Sequence, residues 1–324
     1  MTRKRILIGL LLLTLGLGAC GNGEKKKDSA SSDGKVSVYT TVYPLQYFAE
    51  RIGGDTVTVK SIYPAGSDEH TFDPTQKEMM KLADADLFFY IGLGLEGFVE
   101  NAEKTLNNQN VKLLPVADHI DPSKLMEGHH HHDGNEHGDG HGHDEHEHAE
   151  GQVDPHVWIS PVLSIELAAS VRDGLIEQSP KNKELYDTNF ETLKSDLEEL
   201  DKEFVSMAED APSKTFFVSH AAFGYLANEY GLEQIAIAGL NTQNEPSQKE
   251  LTKIVTEAKE HHVKTILFEQ NVSSKLTKVV QNEIGADSAV LHNLSVRTKE
   301  DIANNEDYLS LMRRNSSVLS KALH

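Results

Sequence analysis

The sequence predicts an α/β protein of two similar lobes with mainly parallel sheets, joined by one long backbone helix. Three observations predict it: short apolar runs alternate with helical stretches, the alternation occurs once in each half of the chain, and an unbroken helical pattern lies between the halves. In the first half, residues 36–39 read as a strand, 45–51 as a helix closed by Gly53 and Gly54, and 57–63 as a strand stopped by Pro64. A helix at 76–83 leads into the apolar run 87–91, and a helix at 95–106 precedes a strand at 111–116. Four strands separated by helices indicate a parallel α/β unit.

The second half repeats the grammar. Strands are expected at 215–218, 234–238, 265–268 and 290–294, and helices at 222–230, closed by Gly231, 248–261 and 274–284, with a terminal helix at 301–323. Between the halves, residues 181–209 contain no helix breaker, and Leu185, Phe190, Leu193, Leu197 and Leu200 recur at helical spacing. About 29 residues at 1.5 Å each make a rod of roughly 43 Å, long enough to run the length of both lobes and to limit hinge motion. The apolar spacing is not read as sustained strict heptads, which argues against a coiled-coil dimer and for a monomer. The expected divisions are a leader 1–19, a tether 20–34, an N-terminal lobe 35–180 carrying a histidine-rich loop 127–150, a linking helix 181–210 and a C-terminal lobe 211–324.

Arg3, Lys4 and Arg5 precede an apolar run at 6–18 that is too short to span a membrane and reads as a secretory signal. Residues 17–20 read LGAC, and Cys20, the one cysteine of the chain, sits where a bacterial lipoprotein carries its acyl groups. The expected place is therefore outside the cytoplasmic membrane, lipid-anchored through Cys20, with the Gly-, Ser- and Lys-rich tether holding the body off the surface. A lone cysteine excludes an intramolecular disulfide. A net charge of −20 repels phosphate backbones, so no nucleic-acid partner is expected.

Residues 129–148 read HHHHDGNEHGDGHGHDEHEH: His129, His130, His131, His132, His137, His141, His143, His146 and His148, interleaved with acidic residues and lacking anything to build a core. Neutral imidazole suits Zn²⁺, Cu²⁺ and Ni²⁺, so this tract reads as an auxiliary metal-gathering loop with labile sites. Selective binding needs ligands on rigid elements. Three isolated histidines are better placed: His70 in a loop after a strand, His156 just before a helix, and His220 ending a strand. They are taken as equivalent strand-end positions, where open α/β sheets bind ligands. Three imidazoles favour Zn²⁺ over Mn²⁺, which prefers carboxylate oxygens. Asp154 is placed to orient His156, and Trp158 to pack beside the site. His119, His261, His262 and His324 are read as non-ligands.

The succession GSDEH-x-FDPT, DPHVWISP and SHAAFGY, behind a lipobox and with an acidic histidine-rich insertion just ahead of DPH, resembles the zinc-specific solute-binding proteins of ABC transporters, the ZnuA/AdcA type of the cluster A-I family. The resemblance implies two lobes with the cation held between them by His70, His156 and His220. It implies high-affinity capture of Zn²⁺ outside the cytoplasmic membrane and delivery to a cognate ABC permease with its ATPase subunit. Manganese members carry a carboxylate at the position of His220, so an imidazole there speaks for zinc. A tetrahedral ion needs one more ligand. Glu69 precedes His70 as in one branch of the family, and it ranks first together with water. Other branches draw a carboxylate from near the final strand, where this chain has His292 and Asn293; Glu269 and His292 rank lower.

Two other classes compete. A zinc hydrolase would use Glu69 as general base, but the chain has no H-E-x-x-H motif and no nucleophile constellation. A surface adhesin or zinc buffer would use the loop and tether alone. No G-x-x-x-x-G-K-[ST] motif is present, so ATP hydrolysis would belong to another chain.

Overall fold

The computed structural model describes residues 34–128, 153–243, 245–270 and 274–324. Cys20, the leader 1–19, the tether up to residue 33 and the histidines between 129 and 148 lie outside the described residues. Among the described residues no helix is long and apolar enough to cross a membrane.

Four strands, β1 (Val36–Thr40), β2 (Val57–Ser61), β3 (Leu87–Tyr90) and β4 (Lys112–Pro115), form the first sheet in the order β2-β1-β3-β4, with every pairing parallel. Their crossovers are α1 (Tyr43–Gly53), α2 (Gln76–Ala83) and α3 (Val99–Leu106). Pro44 pre-sets the first turn of α1, and Thr75 with Glu78 closes a capping box on α2. The helix expected at 95–106 starts only at Val99, because Gly92, Leu93 and Gly94 all take positive φ and turn the chain first.

The first half ends in α4 (Pro161–Gln178), which Ser160 caps by accepting from the Leu163 amide at 3.2 Å, with Pro161 at its first position. The Ser-Pro of DPHVWISP is thus a helix start. The linking helix, α5 (Lys183–Asp210), buries Tyr186, Phe190, Leu193, Leu197, Leu200, Phe204 and Met207, a spacing that alternates four and three. Leu185, assigned to this stripe from sequence, is 41% exposed, and Tyr186 takes its place. The heptad-like stripe therefore runs further than its sequence reading allowed. Its partners are helices of the same chain, α1 and α4 and the C-terminal helix described below.

The second sheet repeats the first: β5 (Thr215–His220), β6 (Glu233–Ala238), β7 (Thr265–Phe268) and β8 (Asp287–Val290) in the order β6-β5-β7-β8, all parallel. Its crossovers are α6 (Gly224–Glu229), α7 (Gln248–Glu260) and α8 (Lys275–Ile284). Two expectations need correction. The last strand, expected at 290–294, is Asp287–Val290, paired residue for residue with β7. The apolar signal of Leu291 and Leu294 comes from burial in the core between the lobes and not from the sheet, whose edge leaves Val290 53% exposed. The single terminal helix is two helices, α9 (Lys299–Ala303) and α10 (Tyr308–Ala322), each with its own capping box at Thr298 and Asp307. Asn305 at φ 55° makes the break, a conformation Asn tolerates better than most residues. After this break α10 returns to α5 and α1, where Tyr308 stacks on Tyr47 and meets Phe48 edge-on.

One apolar cluster runs without interruption from the first sheet through Trp158 and α5 to Phe223, Leu291 and Tyr308 in the second half, while a smaller cluster lies between β5–β7 and helices α7 and α8. A continuous core of this kind resists free hinge motion between lobes. It is also tightly filled. A Cβ on Gly174 of α4 would lie 2.7 Å from the Phe89 ring and 2.8 Å from a Leu114 methyl. Gly174→Ala is expected to lower the free energy of unfolding by about 1–3 kcal/mol in a urea titration, overpacking outweighing the better helix propensity of alanine.

Candidate metal centre

Segments at or after the ends of four strands bring polar side chains together. The loop after β2 carries Glu69 and His70, β5 ends on His220, β7 is followed by Glu269, and the chain leaving β8 brings His292 and Asn293. His156 arrives differently, after an isolated bridge between Glu127 and Val153 and just ahead of the short turn that precedes α4. The three histidines are therefore not at equivalent strand ends: His70 follows an edge strand, His220 ends a central one, and His156 ends none.

They nevertheless converge. One donor atom each from Glu69, His70, His156 and His220 lies within 4.8 Å of all the others, a group able to hold a metal ion. The His156 Nε2 is 3.2 Å from that of His70 and 3.4 Å from that of His220. A tetrahedral zinc with Zn–N bonds of about 2.0–2.1 Å has nitrogen–nitrogen edges of about 3.3 Å. The opposite side of two rings is fixed by carboxylates. His156 Nδ1 lies 2.8 Å from Asp154 Oδ1, which also accepts the His156 amide at 2.9 Å, and His220 Nδ1 lies 2.6 Å from Glu269 Oε1. A carboxylate can only accept, so it selects the tautomer with hydrogen on Nδ1 and leaves each neutral Nε2 as a bare lone pair. Two such lone pairs facing each other repel unless a cation stands between them.

The surroundings sharpen this field. Glu69, His156 and His220 are buried. Burial, and after it the two neighbouring imidazoles, hold His70 down to about 2. Burial pushes His220 down as well, but Glu269 overrides it and the net direction is up; Glu269, raised by burial, is brought below its usual value by His220. Burial raises Glu69 despite the attraction of His220.

Glu269 and His292, the lower-ranked fourth ligands, stand outside the four-atom group. Both Glu269 oxygens are committed, Oε1 to Ser219 Oγ at 2.6 Å and to His220, and Oε2 to Asn293 Nδ2 at 3.0 Å. His292 spends Nε2 on Asp301 at 3.1 Å and Nδ1 on the Leu294 amide at 2.9 Å, and burial holds its imidazole below the ordinary value. His119, His261, His262 and His324 also stand outside the group.

The motifs interlock beyond their histidines. A Cβ on Gly224 would come within 2.9 Å of Asp154 Oδ2, so the glycine of SHAAFGY leaves room for the carboxylate behind His156. Tyr225 Oη donates to the Asp154 carbonyl at 2.8 Å and accepts from the Met126 amide at 3.1 Å. Trp158 is fully buried with its ring 5.3 Å from His156 and its Nε1 donating to the Asn293 carbonyl at 2.8 Å. Asp68 joins the lobes at the cleft, accepting the His70 amide on Oδ1 at 2.9 Å and Thr242 Oγ1 on Oδ2 at 2.8 Å. Sequence reasoning passed over Ser219 and Asp68 and named Asn293 without giving it a role; the only signal for Ser219 and Asp68 was adjacency to a candidate ligand.

Two parallel α/β lobes around one buried cluster of imidazoles and a carboxylate define a two-lobed binding protein with its site in the cleft. The chain belongs to the family of zinc-uptake complex component A proteins, ZnuA, whose family model matches residues 38–322. It is 38% identical to the high-affinity zinc uptake system protein ZnuA of Bacillus subtilis (strain 168), over 95% of this chain and 93% of that protein. It is 34% identical to the zinc-binding lipoprotein AdcA of Streptococcus pneumoniae, where the match covers 98% of this chain and only 61% of the longer relative. The solved structure of the Zn(II)-bound ZnuA-like domain of that AdcA superposes with a TM-score of 0.72 at 32% identity, covering 90% of this chain and 99% of the domain.

Proposed function

We propose that this protein captures one Zn²⁺ in the cleft through His70, His156, His220 and Glu69, and delivers it to a cognate ABC permease driven by a separate ATPase subunit. The observation that carries the reading is the Nε2 spacing of 3.2 and 3.4 Å among three imidazoles, two of which, His156 and His220, have their far nitrogens held by Asp154 and Glu269. Such a set of nitrogens suits zinc better than manganese or magnesium. The relatives, named for zinc uptake and zinc binding, support the same cargo. Nothing in this function requires turnover, and the protein is a binding component and not an enzyme.

Around this site we place a monomer anchored outside the cytoplasmic membrane through acylated Cys20 and spaced from it by residues 20–34. Lobes 35–180 and 211–324 are joined by the segment 181–210, whose helix is Lys183–Asp210. The histidines between 129 and 148 gather zinc at lower affinity.

A zinc titration of the full chain tests the reading. One tight equivalent per chain is expected, followed by weaker ones that vanish when residues 129–148 are deleted. Protons and zinc compete for the same imidazole lone pairs, and Glu269 raises His220 above the ordinary imidazole value, so the tight affinity is full only above that value and falls as pH drops through it, while His70, held down to about 2, adds nothing in this range. A tight equivalent that disappears with the deletion, or one indifferent to pH between 5 and 8, would contradict it.

A further inference from the structure

Asn293 sits fully buried in the segment that leaves β8 and enters the cleft. Its carboxamide orientation follows from its partners. Oδ1 accepts from Gln270 Nε2 at 2.8 Å, the Ser295 amide at 3.1 Å and Ser295 Oγ at 2.9 Å. Nδ2 is therefore the atom that meets two carboxylates, Glu69 Oε1 at 3.1 Å and Glu269 Oε2 at 3.0 Å. The backbone is held as firmly: the Asn293 amide donates to Gln270 Oε1 at 3.1 Å, and its carbonyl accepts the Trp158 indole. The next residue, Leu294, has φ 59°, a costly conformation for a leucine. It is kept there by the hydrogen bond its backbone N–H donates to His292 Nδ1, while Asn315 grips His292 at both its amide and its carbonyl.

An amide NH₂ carries two hydrogens, and here each goes to a different carboxylate. One of these carboxylates is the fourth donor of the cluster, and the other orients His220. An oxygen of Glu69 tied to Asn293 does not swing onto a cation together with its partner oxygen. Glu269, held between His220, Ser219 and Asn293, does not leave to become a fifth ligand. We propose that Asn293 is a positioning residue that limits Glu69 to one coordinating oxygen and keeps Glu269 behind His220, so that the cleft offers three nitrogens and one oxygen and selects Zn²⁺ over cations that seek more oxygen ligands. The inference rests on the zinc site proposed above.

Cobalt tests it, because its visible spectrum reports coordination geometry. With one equivalent of Co²⁺, the full chain is expected to show the intense bands of a tetrahedral ion. Asn293→Asp keeps the shape but replaces the shared donor with a third acceptor, and Asn293→Ala removes it. In both, the bands should weaken toward those of five- or six-coordinate cobalt, and discrimination of Zn²⁺ against Mn²⁺ should fall about tenfold or more. Tetrahedral bands and unchanged discrimination in folded variants would overturn the clamp while leaving the zinc site intact; a wild-type chain without a tetrahedral spectrum or a tight zinc would overturn the site itself. X-ray absorption of the zinc-loaded wild-type chain decides the matter even if neither variant folds. Four light atoms in the first shell are expected, and a fifth, from a second carboxylate oxygen, would overturn the clamp.

Discussion

Replacing His156 with alanine is expected to weaken tight zinc binding by about two to three orders of magnitude. His156 is the central imidazole, within 3.2 Å of one partner nitrogen and 3.4 Å of the other. Zinc binding free energies of roughly 10–16 kcal/mol spread over four ligands assign each about 3–4 kcal/mol, which at about 1.4 kcal/mol per tenfold is about two to three decades of affinity. The loss should exceed that from Asp154→Asn, which keeps the imidazole and alters only the acceptor behind Nδ1. Competition against a chromophoric chelator, on chains lacking residues 129–148, measures both. An affinity within threefold of wild type for His156→Ala would contradict the account.

The second large effect is on stability. The four donors come from three segments far apart in the chain, at residues 69–70, 156 and 220, so an unfolded chain cannot assemble them. Zinc then stabilises the folded state by mass action, by about 4 kcal/mol at a free concentration one thousand times the dissociation constant. For a chain of this size roughly 2–4 °C per kcal/mol translates this into a rise in Tm of about 8–16 °C. The histidine tract must be deleted for this measurement, since histidines that bind zinc in the unfolded chain reduce the shift. Differential scanning calorimetry with and without zinc gives the answer, and a shift below about 2 °C would mean that the folded cleft holds no tight ion.

Where the chain signals its structure locally, sequence reading succeeded. Strand 265–268 and helix 76–83 match the observed elements, because turn residues and capping boxes bound them. It failed where tertiary context outweighs local pattern. Leu291 and Leu294 look like a strand but are buried between lobes, and Leu185 looks like core but faces solvent. The candidate site was legible as three histidines in distinctive motifs, which the fold brings together. What surrounds them was not: Glu269, ranked lower among the candidate fourth ligands, stands behind His220, and Asn293 joins two carboxylates separated by two hundred residues. Contacts of that span leave no periodicity or spacing in the sequence for a reader to find.

The most direct test of the central claim is anomalous scattering at the zinc edge from zinc-loaded crystals. The account predicts one strong peak in the cleft, about 2.0–2.1 Å from the Nε2 atoms of His70, His156 and His220 and within bonding distance of a Glu69 oxygen. A cleft without a peak, or a peak held by other side chains, would contradict it.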